Sequence, residues 1–451
     1  MRLNWRKYMA LFLCATAASC LWGCGTGSSD ETVQQEEQTE LASENTEENA
    51  EENESETEAA EDEITLTFWT TGDVGINPQI EEWNTQHPSC QIEMVTADSE
   101  ALIANLKTAL SAGAGLPDAV WVECDSLESF KQSPDLWTNL LDYGAGDMED
   151  DYLPWKWQQA LSTDGTQLFG LPTDIGPILL AYRTDIFEQA GLPTDRDEVS
   201  AMLSSWDDFI AAGETIKDAT GSYLVNDAAY LFQVMVGQGT EKFFDEEDNL
   251  IVETNEQVKK AWDYAVKAVD TNISANMQLW SSEWSTALGD GTLAAQLCPA
   301  WMLTHIKNYS ADNAGNWDLA YLPEGGGNWG GSFACIPAAA EHPDEAYEFI
   351  SSALSTEGQY SSYVSNQLFP SAVGVYEMDE FKNTVDEFFN NAPSAQMFSQ
   401  SATELQPAYE GIYSKDVLEI MKDAASRVEN GTQASEESWN QALTEIDRLM
   451  R

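Results

Sequence analysis

Residues that carry chemistry are scarce in this chain. Three histidines stand among 451 residues. His87, His305 and His342 are too far apart for an HxxxH or HExxH helix, so a zinc hydrolase centre has almost nothing to build on and no metal is expected. Of the seven cysteines, Cys90, Cys124, Cys298 and Cys335 lie beyond the N-terminal stretch. They lack CxxC spacing, allow three pairings if all are bridged, and read as buried thiols. No G-x-S-x-G elbow, P-loop or G-x-G-x-x-G occurs, so acyl transfer, nucleotide hydrolysis and dinucleotide chemistry lack their usual motifs, and no cofactor is expected. Basic residues are few: 20 Lys and Arg face 78 Asp and Glu, a net charge of −58. A chain so acidic argues against nucleic acid or an anionic membrane surface as partner. No apolar run reaches the roughly 20 residues of a comfortable membrane span.

What the N-terminus does contain fixes an expected compartment. Arg2, Arg6 and Lys7 precede an almost purely apolar or small stretch from Tyr8 to Trp22, the layout of a secretory signal peptide over residues 1–23. The stretch ends in Leu21-Trp22-Gly23-Cys24, which resembles a bacterial lipobox, with Trp22 bulkier than the small residue usual there. That resemblance implies a lipid on Cys24, a mature chain beginning there, and a place on the extracellular face of the cell membrane. Ala17-Ala18-Ser19-Cys20 is a second, weaker site, and cleavage near Ala18 without lipidation is the plainer alternative.

From Asp30 to Glu63 the composition changes abruptly to Glu, Gln, Asn, Thr, Ser and Ala, without Lys, Arg, Gly, Pro or aromatics. Such a segment repels itself and buries too little to offset the entropy cost of ordering. Residues 24–63 therefore read as a lipidated, disordered acidic tether. The folded part begins near Ile64 and is too long for one core and natural for two domains.

Along that part, strand and helix signals alternate. Ile64-Thr65-Leu66-Thr67-Phe68-Trp69 has the period of two and the residue types of a strand, Gln91 to Val95 forms a second, and Ala119-Val120-Trp121-Val122 a short buried third. Between them a helix through Ile80 and Trp83 is stopped by Pro88, and another runs from about Ser99 to Ser111 before the break Ala112-Gly113-Ala114-Gly115. The pattern predicts an α/β fold with parallel sheets covered on both faces, and a ligand crevice beyond the carboxyl ends of the strands. Trp69 to Asp73 and Glu123 to Asp125 would then stand on the rim of a cleft.

Several blocks now make a specific resemblance. Leu116-Pro117-Asp118-Ala119-Val120-Trp121, Gly170-Leu171-Pro172-Thr173-Asp174-Ile175-Gly176-Pro177, and Tyr182-Arg183-Thr184-Asp185-Ile186-Phe187 running to Gly191-Leu192-Pro193 come first. Ser205-Trp206-Asp207-Asp208-Phe209, Gly289-Asp290-Gly291-Thr292-Leu293-Ala294-Ala295 leading to Pro299-Ala300-Trp301, Tyr321-Leu322-Pro323, Gly330-Gly331-Ser332 and Pro343 to Ile350 follow in order. From Ile64 to Arg451 the chain resembles the extracellular solute-binding proteins of carbohydrate ABC importers, the group containing the maltodextrin-binding protein. The resemblance implies a two-lobed periplasmic-binding-protein-like fold with a hinge, a sugar or oligosaccharide ligand, importer permease subunits as partners, a monomer, and no catalysis. Carried over, residues 64–173 plus 323–357 form an N-terminal α/β lobe and 177–318 plus 359–451 a C-terminal one, with Asp174-Ile175-Gly176 and Leu319-Ala320-Tyr321 as hinge strands. Gly176 falls where the maltodextrin binder carries an acidic ligand contact, so the substrate is expected to differ.

A pyranose ring presents an apolar C–H face and an edge of hydroxyls, so its site needs flat aromatic platforms and hydrogen-bonding acceptors. The resemblance puts a stacking Trp at Trp301 and a carboxylate after the third strand at Asp125. It matches Tyr413 to an aromatic of the C-terminal lobe. Trp329 stands beside Gly330 and Gly331, where glycines let backbone approach a ligand, and Asp174 lies at the hinge beneath the cleft. Trp69, Asp73 and Asp227 complete the candidates. For each acid the plainer reading is a helix cap or a solvated loop, which for Asp185 prevails because it starts a helix, and for a Trp it is core packing. Trp280 and Trp284, four apart, read as one buried face of a helix. Asp245, Glu247, Asn249, Glu253 and Glu256 have the spacing of a calcium loop, but Leu250 occupies the position that requires glycine, so an acidic hairpin is expected instead. A secreted glycosidase, which also pairs carboxylates with aromatics, and a binder of a polyamine or other non-sugar solute are the alternatives.

Overall fold

A computed structural model describes residues 63–72, 74–245, 247–405 and 409–451. Ten strands occur among them in chain order: β1 Ile64–Thr71, β2 Cys90–Ala97, β3 Ala119–Glu123, β4 Gly170–Pro172, β5 Asp174–Ile175, β6 Ile178–Arg183, β7 Ala295–Pro299, β8 Trp317–Ala320, β9 Ser332–Cys335 and β10 Phe369–Pro370. They form a five-stranded sheet β2-β1-β3-β9-β4, a three-stranded sheet β7-β6-β8, and the pair β10-β5.

Local chemistry sets the elements. On β1 the side chains of Leu66, Phe68 and Thr70 are buried while their neighbours are not, the alternation a pleated strand imposes. The helix Ser99–Ala112 starts where Asp98 accepts from the Ala101 amide at 2.9 Å, ends at left-handed Gly113, and buries Leu102, Leu106, Ala109 and Leu110. The helix Trp206–Thr220 likewise runs from Ser205, whose hydroxyl accepts from the Asp208 amide at 3.1 Å, to left-handed Gly221. By contrast, Ala228–Val236 is apolar nearly all round. It is the central helix of the second lobe, covered by the helices Glu256–Asp270 and Ser414–Glu429.

Two buried clusters form the core, and one face of the three-stranded sheet, with Leu179, Ala181, Cys298 and Leu319, joins the cluster of the first sheet. Leu66, Phe68, Val120, Trp121 and Phe333 belong to one, and Leu180, Tyr182, Trp206, Phe209 and Leu231 to the other. Parallel pairing holds only for β1 with β2 and β3; β9 runs antiparallel between β3 and β4, and both pairings of β6 are antiparallel. The all-parallel expectation fails because β9 arrives from the other lobe, after the crossing at 321–331, and enters the first sheet from the opposite end.

Two hinge and boundary expectations also shift. Leu319 and Ala320 pair with Ala181 and Leu180 inside the second sheet, so that crossing begins at Tyr321. The Pro323 and Gly325 carbonyls still accept from Gln238 of the second lobe at 2.9 and 2.8 Å, and the chain rejoins the first sheet only at β9. The boundary at 357–359 cuts through the helix Thr356–Asn366, whose Ser362 accepts from Gln79 at 2.7 Å and which rests on the first-lobe helix Asn77–Gln86. Leu153 N–H donates to the Ser371 carbonyl at 2.9 Å, holding that stretch with the first lobe too. Asp174 and Ile175 form β5, in the connection from the first sheet to the second, where they pair with Pro370 and Phe369.

Candidate functional site

The carboxyl ends of β1 and β3, the 174–176 crossing, the turn after β7 and residues 328–332 converge on one cavity of about 730 Å³. The helix Ser414–Glu429 closes its far side with Ser414, Lys415, Leu418, Glu419 and Lys422, one face of that helix. The cavity is therefore walled by both lobes.

Four of the residues expected from sequence line it: Trp301, Trp329, Asp125 and Asp174. Trp301 sits in the 3₁₀ turn Ala300–Met302, and its indole N–H donates to the Trp329 carbonyl at 3.2 Å. The Trp329 ring meets Trp301 edge-on at 5.1 Å and packs behind against Tyr230 at 5.2 Å. Both indoles are thus fixed before any ligand arrives. Asp125 opens the helix Cys124–Lys131 and pairs with Lys415 across the cleft at 3.0 Å. Asp174 accepts from the Thr173 hydroxyl at 2.8 Å and is 8% exposed.

The remaining candidates stand elsewhere. Tyr413 precedes the helix Ser414–Glu429 and is not among the lining residues, although Ser414 and Lys415 are. Trp69 is half-buried on β1, two residues short of Thr71, which does line the cavity. Asp227 caps the helix Ala228–Val236, accepting from the Tyr230 amide at 2.6 Å, which is its plainer reading. Asp73 and Cys24, with the signal peptide and the acidic tether up to residue 62, lie outside the described residues.

Sequence reasoning missed much of the polar lining. Lys242 and Glu410 form an ion pair in the cavity wall, brought together by the bridge between Glu241 and Tyr409. Trp121 and Trp155 add aromatic surface, and Gln159 Oε1 and Ser414 Oγ are buried lining atoms with no hydrogen-bond partner among the described residues. A hydroxyl-rich ligand supplies what such atoms lack. The Trp-Lys-Trp run at 155–157 was the available signal for that wall.

Burial dominates the electrostatics. It pushes the Glu123 carboxyl up, the Asp125 charge adds to the shift, and a hydrogen bond from Ser99 at 2.7 Å opposes it. Asp174 is raised by burial against the counter-charge of Lys156. Burial pushes the Cys124 thiol up to about 11 and draws His305 down. For Lys242, burial opposes the charge, but the charge and hydrogen bond of Glu410 together outweigh it and hold the ammonium above its ordinary range.

Three sequence readings resolve structurally. Phe244 and Leu250 bridge antiparallel, and Asp245 accepts from the Glu247 and Asn249 amides at 3.1 and 2.8 Å, so the acidic run is a hairpin. No group of three metal-binding side chains occurs among the described residues. All four cysteines there are free, Cys298 and Cys335 buried but Cys90 and Cys124 only partly so, which corrects the expectation for the last two. Trp280 and Trp284 do not share a helix face: the helix starts at Ser282, and Trp280 is 51% exposed while Trp284 is fully buried.

Fold and site define a class, the two-lobed α/β proteins that enclose a small solute between their lobes. The model of the family described as bacterial extracellular solute-binding protein matches residues 79–390, and this chain belongs to that family. A solved structure titled extracellular solute-binding protein family 1 superposes with a TM-score of 0.81 at 32% identity, covering 85% of this chain and 99% of that one. The lactose-binding protein of Rhizobium radiobacter is 26% identical over 376 residues, 79% of this chain and 85% of that one. The arabinooligosaccharide-binding protein of Bacillus subtilis strain 168 is 26% identical over 375 residues, 77% and 83% of the two. These are binding proteins, and among the described residues no helix is long and apolar enough to cross a membrane.

Proposed function

We infer that this chain captures a sugar or oligosaccharide in the interlobe cleft and delivers it, as a single chain, to the permease of an ABC importer. The observation that carries the reading is the pair of fixed indoles, Trp301 and Trp329, beside carboxylates and orphaned hydrogen-bonding groups in one cavity. Two relatives named for sugars support it. A ligand shifts open and closed lobes only through its differential affinity for the closed state, so contacts from both sides of the cleft are what closure requires. Asp125 would supply them from the first lobe, Trp301 and Ser414 from the second.

Titration calorimetry of residues 64–451 with lactose and with arabinooligosaccharides is the test. Saturable binding is expected, with a smaller radius of gyration at saturation by small-angle scattering and no shortened products by chromatography. Product formation would replace the reading with a glycosidase, and binding without compaction would remove hinge closure.

The delivery site would be the outer face of the membrane, held by a lipid on Cys24. Cys24→Ala removes the only strong anchor the sequence offers. The full-length variant is expected to move from the detergent phase to the aqueous phase on partition. Retention in the detergent phase would refute the anchor.

A further inference from the structure

Trp280 is the most exposed aromatic side chain among the described residues, at 51%, yet it lies beside the cleft rather than in its lining. Its plane is within 22° of Trp301's, with ring centroids 5.8 Å apart, and His305 meets both rings edge-on at 4.9 and 6.3 Å. Trp301 and His305 do line the cavity. Aromatic rings therefore run in contact from Trp329, through Trp301, to the half-exposed Trp280 beside the cavity.

The backbone makes the same point independently. Ser281 N–H donates to the Gln278 carbonyl at 3.2 Å, so Gln278 to Ser281 is a tight turn, and its third residue is Trp280 with φ of 69°. That position of a turn favours Gly or Asn, and a bulky side chain there is a genuine outlier. Burial does not explain the choice, because about half of the residue faces solvent. Strain of this kind clusters where a side chain must be presented in a fixed place.

We propose that Trp280 is an outer sugar-binding platform, continuous with the cleft, that grips rings of an oligosaccharide projecting beyond the enclosed cavity. The proposal rests on the sugar reading above and deepens it: the ligand class is an oligosaccharide longer than a disaccharide. An indole face offers the C–H side of a sugar ring a flat apolar contact whatever the linkage. Trp280 then adds affinity only when the chain is long enough to reach it.

The test is titration calorimetry with two ladders, arabinooligosaccharides and β-linked galactooligosaccharides, each of two to five units. In the ladder that binds, wild type should gain affinity with length. Trp280→Ala should lower affinity for the longest members about tenfold and leave the disaccharide within about twofold, flattening the ladder. Trp280→Gly, which the left-handed backbone suits, should flatten it equally while melting cooperatively, so a folding defect cannot account for the loss. Trp301→Ala should weaken every length. If Trp280→Ala leaves the ladder unchanged, or lowers all lengths alike, the outer platform is wrong while the cleft reading stands. If neither ladder binds wild type, both readings fall together.

Discussion

Replacing Gly176 with alanine is expected to lower sugar affinity at least a hundredfold and to destabilise the protein by on the order of 3 kcal/mol, the upper end for an overpacked core. A Cβ built on Gly176 would lie 1.8 Å from the Trp329 carbonyl oxygen and 3.2 Å from the Trp301 indole nitrogen. Backbone, not a pliable side chain, blocks the space. Gly176 is also tied on both sides, its amide donating to Asn328 Oδ1 at 2.9 Å and its carbonyl accepting from the Trp329 amide at 2.8 Å. The methyl group would push the Trp329 carbonyl away and break the hydrogen bond that aims Trp301. Both platforms move together. Chemical denaturation and calorimetric titration of Gly176→Ala check this, and an unchanged dissociation constant would mean that the two indoles do not hold the ligand. The same contact is a reason for glycine here in place of the acid that the maltodextrin binder carries at the position the resemblance matches to Gly176. Here the site is built around a backbone approach that only glycine permits.

The legibility of the first lobe came from local chemistry. Alternation on β1, the Asp98 cap and Gly113 stop of the following helix, and the short apolar β3 are each decided by neighbours in sequence. Family blocks then led to Trp301, Trp329, Asp125 and Asp174, all of which line one cavity. What sequence could not reveal depends on long-range placement. A four-residue strand, β9, inserts between β3 and β4 only after the chain has visited the other lobe. The Lys242–Glu410 and Lys415–Asp125 pairs join residues far apart in sequence, and no local period announces them. Trp280 was misread for a subtler reason. Its spacing from Trp284 fits a helix, but the Ser281 cap starts that helix at Ser282, two residues past Trp280.

Lys156→Met should destabilise the protein at neutral pH by roughly 1–3 kcal/mol: Lys156 and Asp174 make no direct ion pair, but the buried Asp174 carboxylate would lose the charge that counters its burial. Lys156 is fully buried, its ammonium has no hydrogen-bond partner among the described residues, and it lies 3.9 Å from the centre of the Phe333 ring. Burial draws its pKa down, while the neighbouring Cys124 sulfur and the Asp174 carboxylate oppose that. Lys156 is in turn the main influence holding the Asp174 carboxyl down against its own burial. In the variant, Asp174 therefore rises further above its ordinary range. An acid raised in the folded state contributes its full stability below its unfolded pKa and loses it as pH rises through the folded value. The deficit of Lys156→Met should accordingly be small or absent near pH 4, set by the unfolded carboxylate at about 3.9, and grow toward neutrality. Adding Asp174→Asn removes the stranded charge, so the double variant should regain wild-type stability to within about 1 kcal/mol at pH 7 and lose this pH dependence, since buried pairs are often replaceable as a unit. Urea denaturation of the four proteins from pH 4 to 8 decides it. A Lys156→Met protein as stable as wild type at pH 7, or a double variant no better than the single one, would show that the two charges are not coupled.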